Sequence, residues 1–200
     1  DLLKVTPSSS YCIQDWGVRA VWQGGDEGTW TYQNTAIQQP ADWERLPVLD
    51  PAAGALDQAR QAVKSVCQAV GPDTPVLMTL FSPLAQAKNL AGPSLLPHLR
   101  QHPDAVQAGL EIITHSVLRF VDALADTGIA GIFYAVQLAE PSRLSRAEYA
   151  QFGQPLDMRI LTAAGGFWFN MLHAHGLNVY FDLLAGYPVQ ALNWHDREGG

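Results

Sequence analysis

The stretch LHAHGLNVYFDLLAGYPVQALNWHDREGG, Leu172–Gly200, decides the fold. Two largely apolar runs inside it, Leu177–Phe181 and Val189–Leu192, each stop at polar groups. Asp182 follows the first; Asn193, Trp194, His195 and Asp196 follow the second. Short, mostly continuous apolar runs read as buried parallel strands, and in β/α barrels the residues just past each strand line the active site. These polar groups are therefore expected on a functional rim, and the chain stops in the middle of it.

Upstream, the same alternation repeats. A helix is expected from about Leu156 to His173, closed by Gly176, with the Leu177 strand after it. Ser145 and Glu148 form an S-x-x-E capping box before another helical region, interrupted by Gly153 and Pro155. GIAGIFYAV supplies a strand around Ile129–Tyr134. Before it, Pro103 opens a helix whose stripe is Val106, Leu110, Ile113, Val117, Phe120 and Leu124, closed by Gly128. PVLMTLF, Pro75–Phe81, reads as a buried strand. The helix before that starts at Asp50-Pro51, repeats Leu56, Ala59, Val63, Val66 and Val70, and stops at Gly71-Pro72.

Between Tyr11 and Pro47 the texture differs, with VRAVW and TWTYQ flanking GGDEG (Gly24–Gly28), a hairpin inserted early in the chain. Alternating strands and helices imply parallel strands with right-handed crossovers, in a β/α barrel or a doubly wound sheet. No G-x-G-x-x-G or P-loop follows any strand, so the α/β fold class expected is a (β/α)8 TIM-type barrel, incomplete in this chain, forming one domain over residues 1–200.

Composition narrows the partners. Of 200 residues, 48% are hydrophobic and 16% charged, enough for one sizeable core. A net charge of −7 argues against nucleic acid or an anionic membrane as partner, since both need a basic patch. No run of about 18 or more apolar residues is present, so no membrane span is expected. DLLKVTPSSS carries neither an initiating Met nor a signal-peptide pattern, so the chain is expected to begin inside a longer, unexported protein, with Cys12 and Cys67 as reduced, packed thiols.

The order of these segments resembles the uroporphyrinogen decarboxylase family. The likeness runs through DLLKVTP, YQNTAIQQPADWERLPVLDP, PVLMTLFSPLAQAKNLAG, GIAGIFYAV and YPVQALNWHDR, nearly the whole chain as an internal section of that family. The resemblance implies a (β/α)8 barrel and a cytoplasmic, cofactor-free decarboxylase. Such an enzyme acts on the acetate arms of a small-molecule tetrapyrrole in haem biosynthesis, as a homodimer. Protonating a pyrrole carbon makes the ring an electron sink, so the enzyme must supply a carboxylate for the pyrrole N–H groups, cations for substrate carboxylates, and a proton donor. By the resemblance Asp1 takes the catalytic carboxylate's position. The family's arginine-bearing loop falls before this chain and its late catalytic His after it. Lys88, Tyr134, Gln137, Asn193 and His195 are the expected substrate-binding residues; Glu140 and Asp182 also end strands.

Three positions depart from the family pattern. No Tyr stands near Lys88 or Asn89, Tyr134-Ala135 replaces an acidic-Ser pair, and Asn193 stands where an Asp precedes Trp194. The same superfamily includes corrinoid-dependent methyltransferases, which use zinc on the barrel rim to activate a thiol. Their ligand motif is similar to His173-Ala174-His175-Gly176. On a helix, His173 and His175 diverge by about 200°, so a helix running to His173 makes them terminal histidines facing the dipole and leaves the site without metal. Zinc held by His173 and His175 is the alternative, as is a barrel that has lost its site and only binds.

Overall fold

A computed structural model describes residues 1–24 and 30–195. Five strands form one parallel sheet: β1 (Leu3–Val5), β4 (Val76–Phe81), β5 (Gly131–Val136), β6 (Met171–Ala174) and β7 (Ala191–Trp194), in the order β1-β4-β5-β6-β7. Strands added in chain order, with no reversal, are the arrangement of a barrel arc; a doubly wound sheet would switch direction at its centre. The expected barrel, incomplete here, is the fold observed. The hairpin, β2 (Ala20–Trp22) with β3 (Trp30–Tyr32), is a separate antiparallel ribbon that sets Trp22 opposite Trp30, ring centroids 5.4 Å apart. Most of its expected connection lies outside the described residues.

Helices cover one face of the sheet: α1 (Gly54–Val70), α2 (Pro83–Ala91), α3 (Leu95–Gln101), α4 (Pro103–Ala123), α5 (Arg146–Phe152), α6 (Gln154–Ala163) and the short α7 (Phe181–Leu184). The whole expected stripe of α4, from Val106 to Leu124, is buried. Its Gly109 sits under Trp43, so close that a methyl group there would collide with the indole. Among the described residues, no helix is long and apolar enough to cross a membrane. Cys12 and Cys67 are unpaired thiols.

Helix α1 begins later than Asp50-Pro51 suggests. Its first residue, Gly54, has φ +60°, and a side chain there would strike the Asp15 carboxylate. Both Asp15 oxygens accept the Ala55 N–H, at 3.0 and 3.1 Å, so the cap comes from a residue 40 positions away. Replacing Asp15 by Ala is expected to cost about 1 kcal/mol of stability, the usual value of a lost N-terminal cap, read as a shifted urea midpoint at unchanged slope.

The closing stretch folds differently from its apolar pattern. Helix α6 ends at Ala163, where Gly165 and Gly166 follow, and not at His173. The strand is Met171–Ala174, and Leu177–Phe181 is not one. Gly176 at φ +135° and Asn178 at φ +52° break extension there, and Phe181 opens α7. Strand β6 alternates: Leu172 and Ala174 are buried under the helices, while Met171 and His173 face the other way. The consequence is direct. His173 and His175, two apart on extended backbone, emerge on the same side.

Candidate metal centre and adjoining pocket

The inner face of the sheet, away from the helices, carries Leu77, Phe133 and Met171 in a small apolar patch with Ala130 and Phe169. His173 lies beside it, its ring stacked on Phe133 with centroids 5.2 Å apart and planes 25° from parallel. Lys4 Nζ sits 4.5 Å from the centre of the Phe133 ring. Across the β6–β7 ladder His173 is paired with Asn193, and its Nδ1 lies 2.6 Å from Asn193 Oδ1.

One step further along, the chain leaves both strands and brings in two more imidazoles. His175 Nδ1 and His195 Nε2 are 3.3 Å apart. His173, His175 and His195 each offer a ring nitrogen, and the three nitrogens lie within 4.8 Å of one another. Two nitrogens bound tetrahedrally to one zinc at about 2.0–2.1 Å are roughly 3.3 Å apart, so the His175–His195 pair already has ligand spacing. The third nitrogen needs only a small approach. Burial, aided by the neighbouring imidazoles, holds His173 and His175 below the usual histidine range and so favours the neutral, ligating form. Three histidines with an open fourth position is a recurrent donor set for catalytic zinc.

An open pocket of about 410 Å³ adjoins the cluster, lined by Lys88, Gln137, Glu140, Arg143, His175 and His195 among others. Lys88 rises from α2 and donates to Gln137 Oε1 at 2.6 Å. Its ammonium is shifted below the usual lysine range by burial and then by Arg143. Glu140 accepts the Leu177 N–H at 2.6 Å and pairs with Arg143 at 3.4 Å. At the pocket wall Leu138 has φ +71°, a left-handed conformation that is costly for a branched side chain and that gathers at functional sites.

Of the residues expected to bind substrate, Lys88, Gln137 and His195 share this pocket, and Asn193 lies beside His173. Tyr134 does not join them. It is fully buried on the helix side, where its hydroxyl donates to Asp157 Oδ1 of α6 at 2.6 Å. Strand parity explains the correction: β5 is buried on both faces, so Phe133 turns inward and its neighbour outward. Asp1 is exposed, two residues before β1, at the end of a parallel sheet opposite the histidines. Asp182 pairs with Arg146 at the surface.

Tyr32 of β3 lies against the segment carrying Lys88: its oxygen accepts the Asn89 Nδ2–H at 3.0 Å and its hydroxyl donates to Ser9 Oγ at 3.1 Å. Tyr32 and Asn89 are 57 positions apart, so no local pattern could announce the contact. Arg143 leaves no such signal either, standing three residues beyond Glu140, the last rim position a strand-end rule selects after β5.

No curated protein sequence matches the chain. Among solved structures it is similar to a methyltransferase from Methanosarcina mazei, with a TM-score of 0.82 at 17% sequence identity. The match covers 96% of this chain and 56% of that one, so the chain spans little more than half of that protein's length. At such identity the likeness speaks for the shared barrel fold. The sequence profile named uroporphyrinogen decarboxylase (URO-D) matches residues 17–197, and the chain belongs to that family.

Proposed function

We propose that this chain carries the metal-binding part of a zinc-dependent methyltransferase that activates a thiol, with a corrinoid protein as methyl donor. The observation that carries this reading is the convergence of His173, His175 and His195 at the ends of β6 and β7. Zinc held by three neutral imidazoles supplies Lewis acidity at its open position, where it lowers the pKa of a bound thiol. The chain's own residues do the rest. The three histidines hold the metal, Lys88 and Arg143 draw an acidic group on the substrate into the pocket, and Gln137 orients the Lys88 ammonium. Zinc bound by these residues would hold a thiol as its thiolate, the form able to take a methyl group from a carrier.

Tetrapyrrole decarboxylation has the family profile in its favour. Against it stand the outward turn of Tyr134, the absence of a hydroxyl at Ala135, and the distance of Asp1 from the rim. The two readings separate in one set of assays on the full-length protein. Elemental analysis after dialysis is expected to give about one zinc per chain, and methylcobalamin with a simple thiol is expected to yield the methyl thioether. His175→Ala should lower that rate by at least a hundredfold. Metal-free intact protein that releases carbon dioxide from uroporphyrinogen would instead establish the decarboxylase.

A further inference from the structure

We infer that Asn193 is a positioning residue for the metal centre: its side-chain oxygen holds His173 as the Nδ1–H tautomer, so that Nε2 is the nitrogen presented to metal. The inference rests on the metal reading for its purpose, but the tautomer itself can be observed without metal.

Two restraints act on the His173 ring. Asn193 is its direct neighbour across the parallel ladder, so both side chains leave the sheet on the same face and meet at 2.6 Å. Phe133, stacked on the ring at 25° from parallel, fixes the plane in which the imidazole lies. With plane and one nitrogen both constrained, the direction of the second nitrogen follows. A neutral imidazole has one donor and one acceptor nitrogen, and the partner of one decides the role of the other. An amide oxygen accepts, so Nδ1 must carry the hydrogen and Nε2 the lone pair. Ligating histidines elsewhere are oriented in this way by a carboxylate, carbonyl or water on the non-ligating nitrogen, and losing that partner costs 10–100-fold in metal affinity or activity.

Sequence comparison treats Asn193 as a departure, because an Asp is expected before Trp194. The structure gives the departure a use. Asp and Asn offer the same acceptor oxygen at the same reach, so either can hold the tautomer. Only the amide could also be turned to donate through Nδ2, which would put the hydrogen on Nε2 and disable it as a ligand. The Asp variant therefore discriminates, since a carboxylate can only accept.

The experiment uses the full-length protein and three variants: Asn193→Ala, Asn193→Leu and Asn193→Asp. Two-bond nitrogen–proton spectra of the metal-free protein are expected to report His173 protonated at Nδ1 in the parent and in Asn193→Asp, and a tautomer mixture in Asn193→Ala and Asn193→Leu. Zinc affinity, from competition with a chromophoric chelator, should fall by about 10–100-fold in Asn193→Ala and Asn193→Leu. It should be at least as tight in Asn193→Asp as in the parent. Side chain 193 is exposed, so metal-free thermal stability should change little among the four. A parent spectrum with His173 protonated at Nε2, or an Asp variant as weak as the Ala variant, overturns the inference. A parent that shows the Nδ1–H tautomer yet binds no zinc overturns the metal reading and leaves the tautomer assignment standing.

Discussion

Asp157→Ala is expected to lower stability by about 1–3 kcal/mol, the cost of leaving a buried polar group without its partner. Asp157 is 1% exposed and accepts three tyrosine hydroxyls: Tyr134 on Oδ1 at 2.6 Å, Tyr149 on Oδ2 at 2.7 Å and Tyr187 on Oδ2 at 3.0 Å. These tyrosines come from β5, α5 and the segment after α7, so one carboxylate ties the sheet to two layers of its cover. Without it Tyr149 and Tyr187 keep each other, 2.9 Å apart, but Tyr134 is left buried with no acceptor. For a chain of this size the loss corresponds to a melting point lower by roughly 2–12 °C. An Asp157→Ala protein melting within about 2 °C of the parent would show that the cluster contributes little.

The same residue makes stability depend on pH. Burial raises the Asp157 carboxyl to about 6, although the three tyrosine hydroxyls pull it down. The unfolded chain titrates near 3.9. A carboxyl raised in the folded state binds its proton more tightly there, so its contribution is fully present below about pH 4 and is lost as pH rises through about 6. The span amounts to about 3 kcal/mol, as an order of magnitude. Asp157→Asn cannot ionise and still offers an acceptor, so it should fall less than Asp157→Ala and should flatten the pH 4–6 slope. Urea midpoints at half-unit pH steps measure both effects.

Lys88, Gln137 and His195 line one pocket while Tyr134 does not, and the difference lies in which physical signal each leaves in sequence. Lys88, Gln137 and His195 lie just beyond strands or at the helix that follows one, and that placement can be read from the strand's end alone. Tyr134 lies within a strand buried on both faces, where apolar residues on each side erase the period-two signal that would reveal its direction. Helix α4 was legible because 21 residues repeat one apolar stripe with a proline at its start. Strand β6 was not. It is four residues long, and His173 interrupts the continuous apolar run by which buried strands are recognised. Leu177–Phe181 has the better composition, but Gly176 and Asn178 adopt left-handed backbone beside it. The strand assignment decides whether the histidines can act together, because His173 and His175 diverge on a helix and converge on a strand. The third member, His195, is brought in only by pairing β6 with β7. Asp15 and Tyr32 mark a different limit, since each acts on a segment 40 or more positions away.

Zinc is expected to raise the melting temperature strongly, and the reason lies in the same pairing. His173 lies in β6 and His175 directly follows it, while His195 follows β7. A metal ligated from both strands binds the folded arrangement and finds no preformed site in the unfolded chain, so its binding free energy adds to folding. With free zinc at about a thousand times Kd the gain is about 4 kcal/mol, or roughly 8–16 °C for a protein of this size. His195→Ala removes the ligand that follows β7 and should abolish most of the shift, while leaving metal-free stability nearly unchanged because the side chain is exposed. Amide exchange gives the spatial form of the result: protection should increase first at Ala191–Trp194, the strand that the metal would tie to β6. A zinc-induced shift that survives intact in His195→Ala would mean that the metal binds elsewhere, and the three-histidine centre would have to be given up.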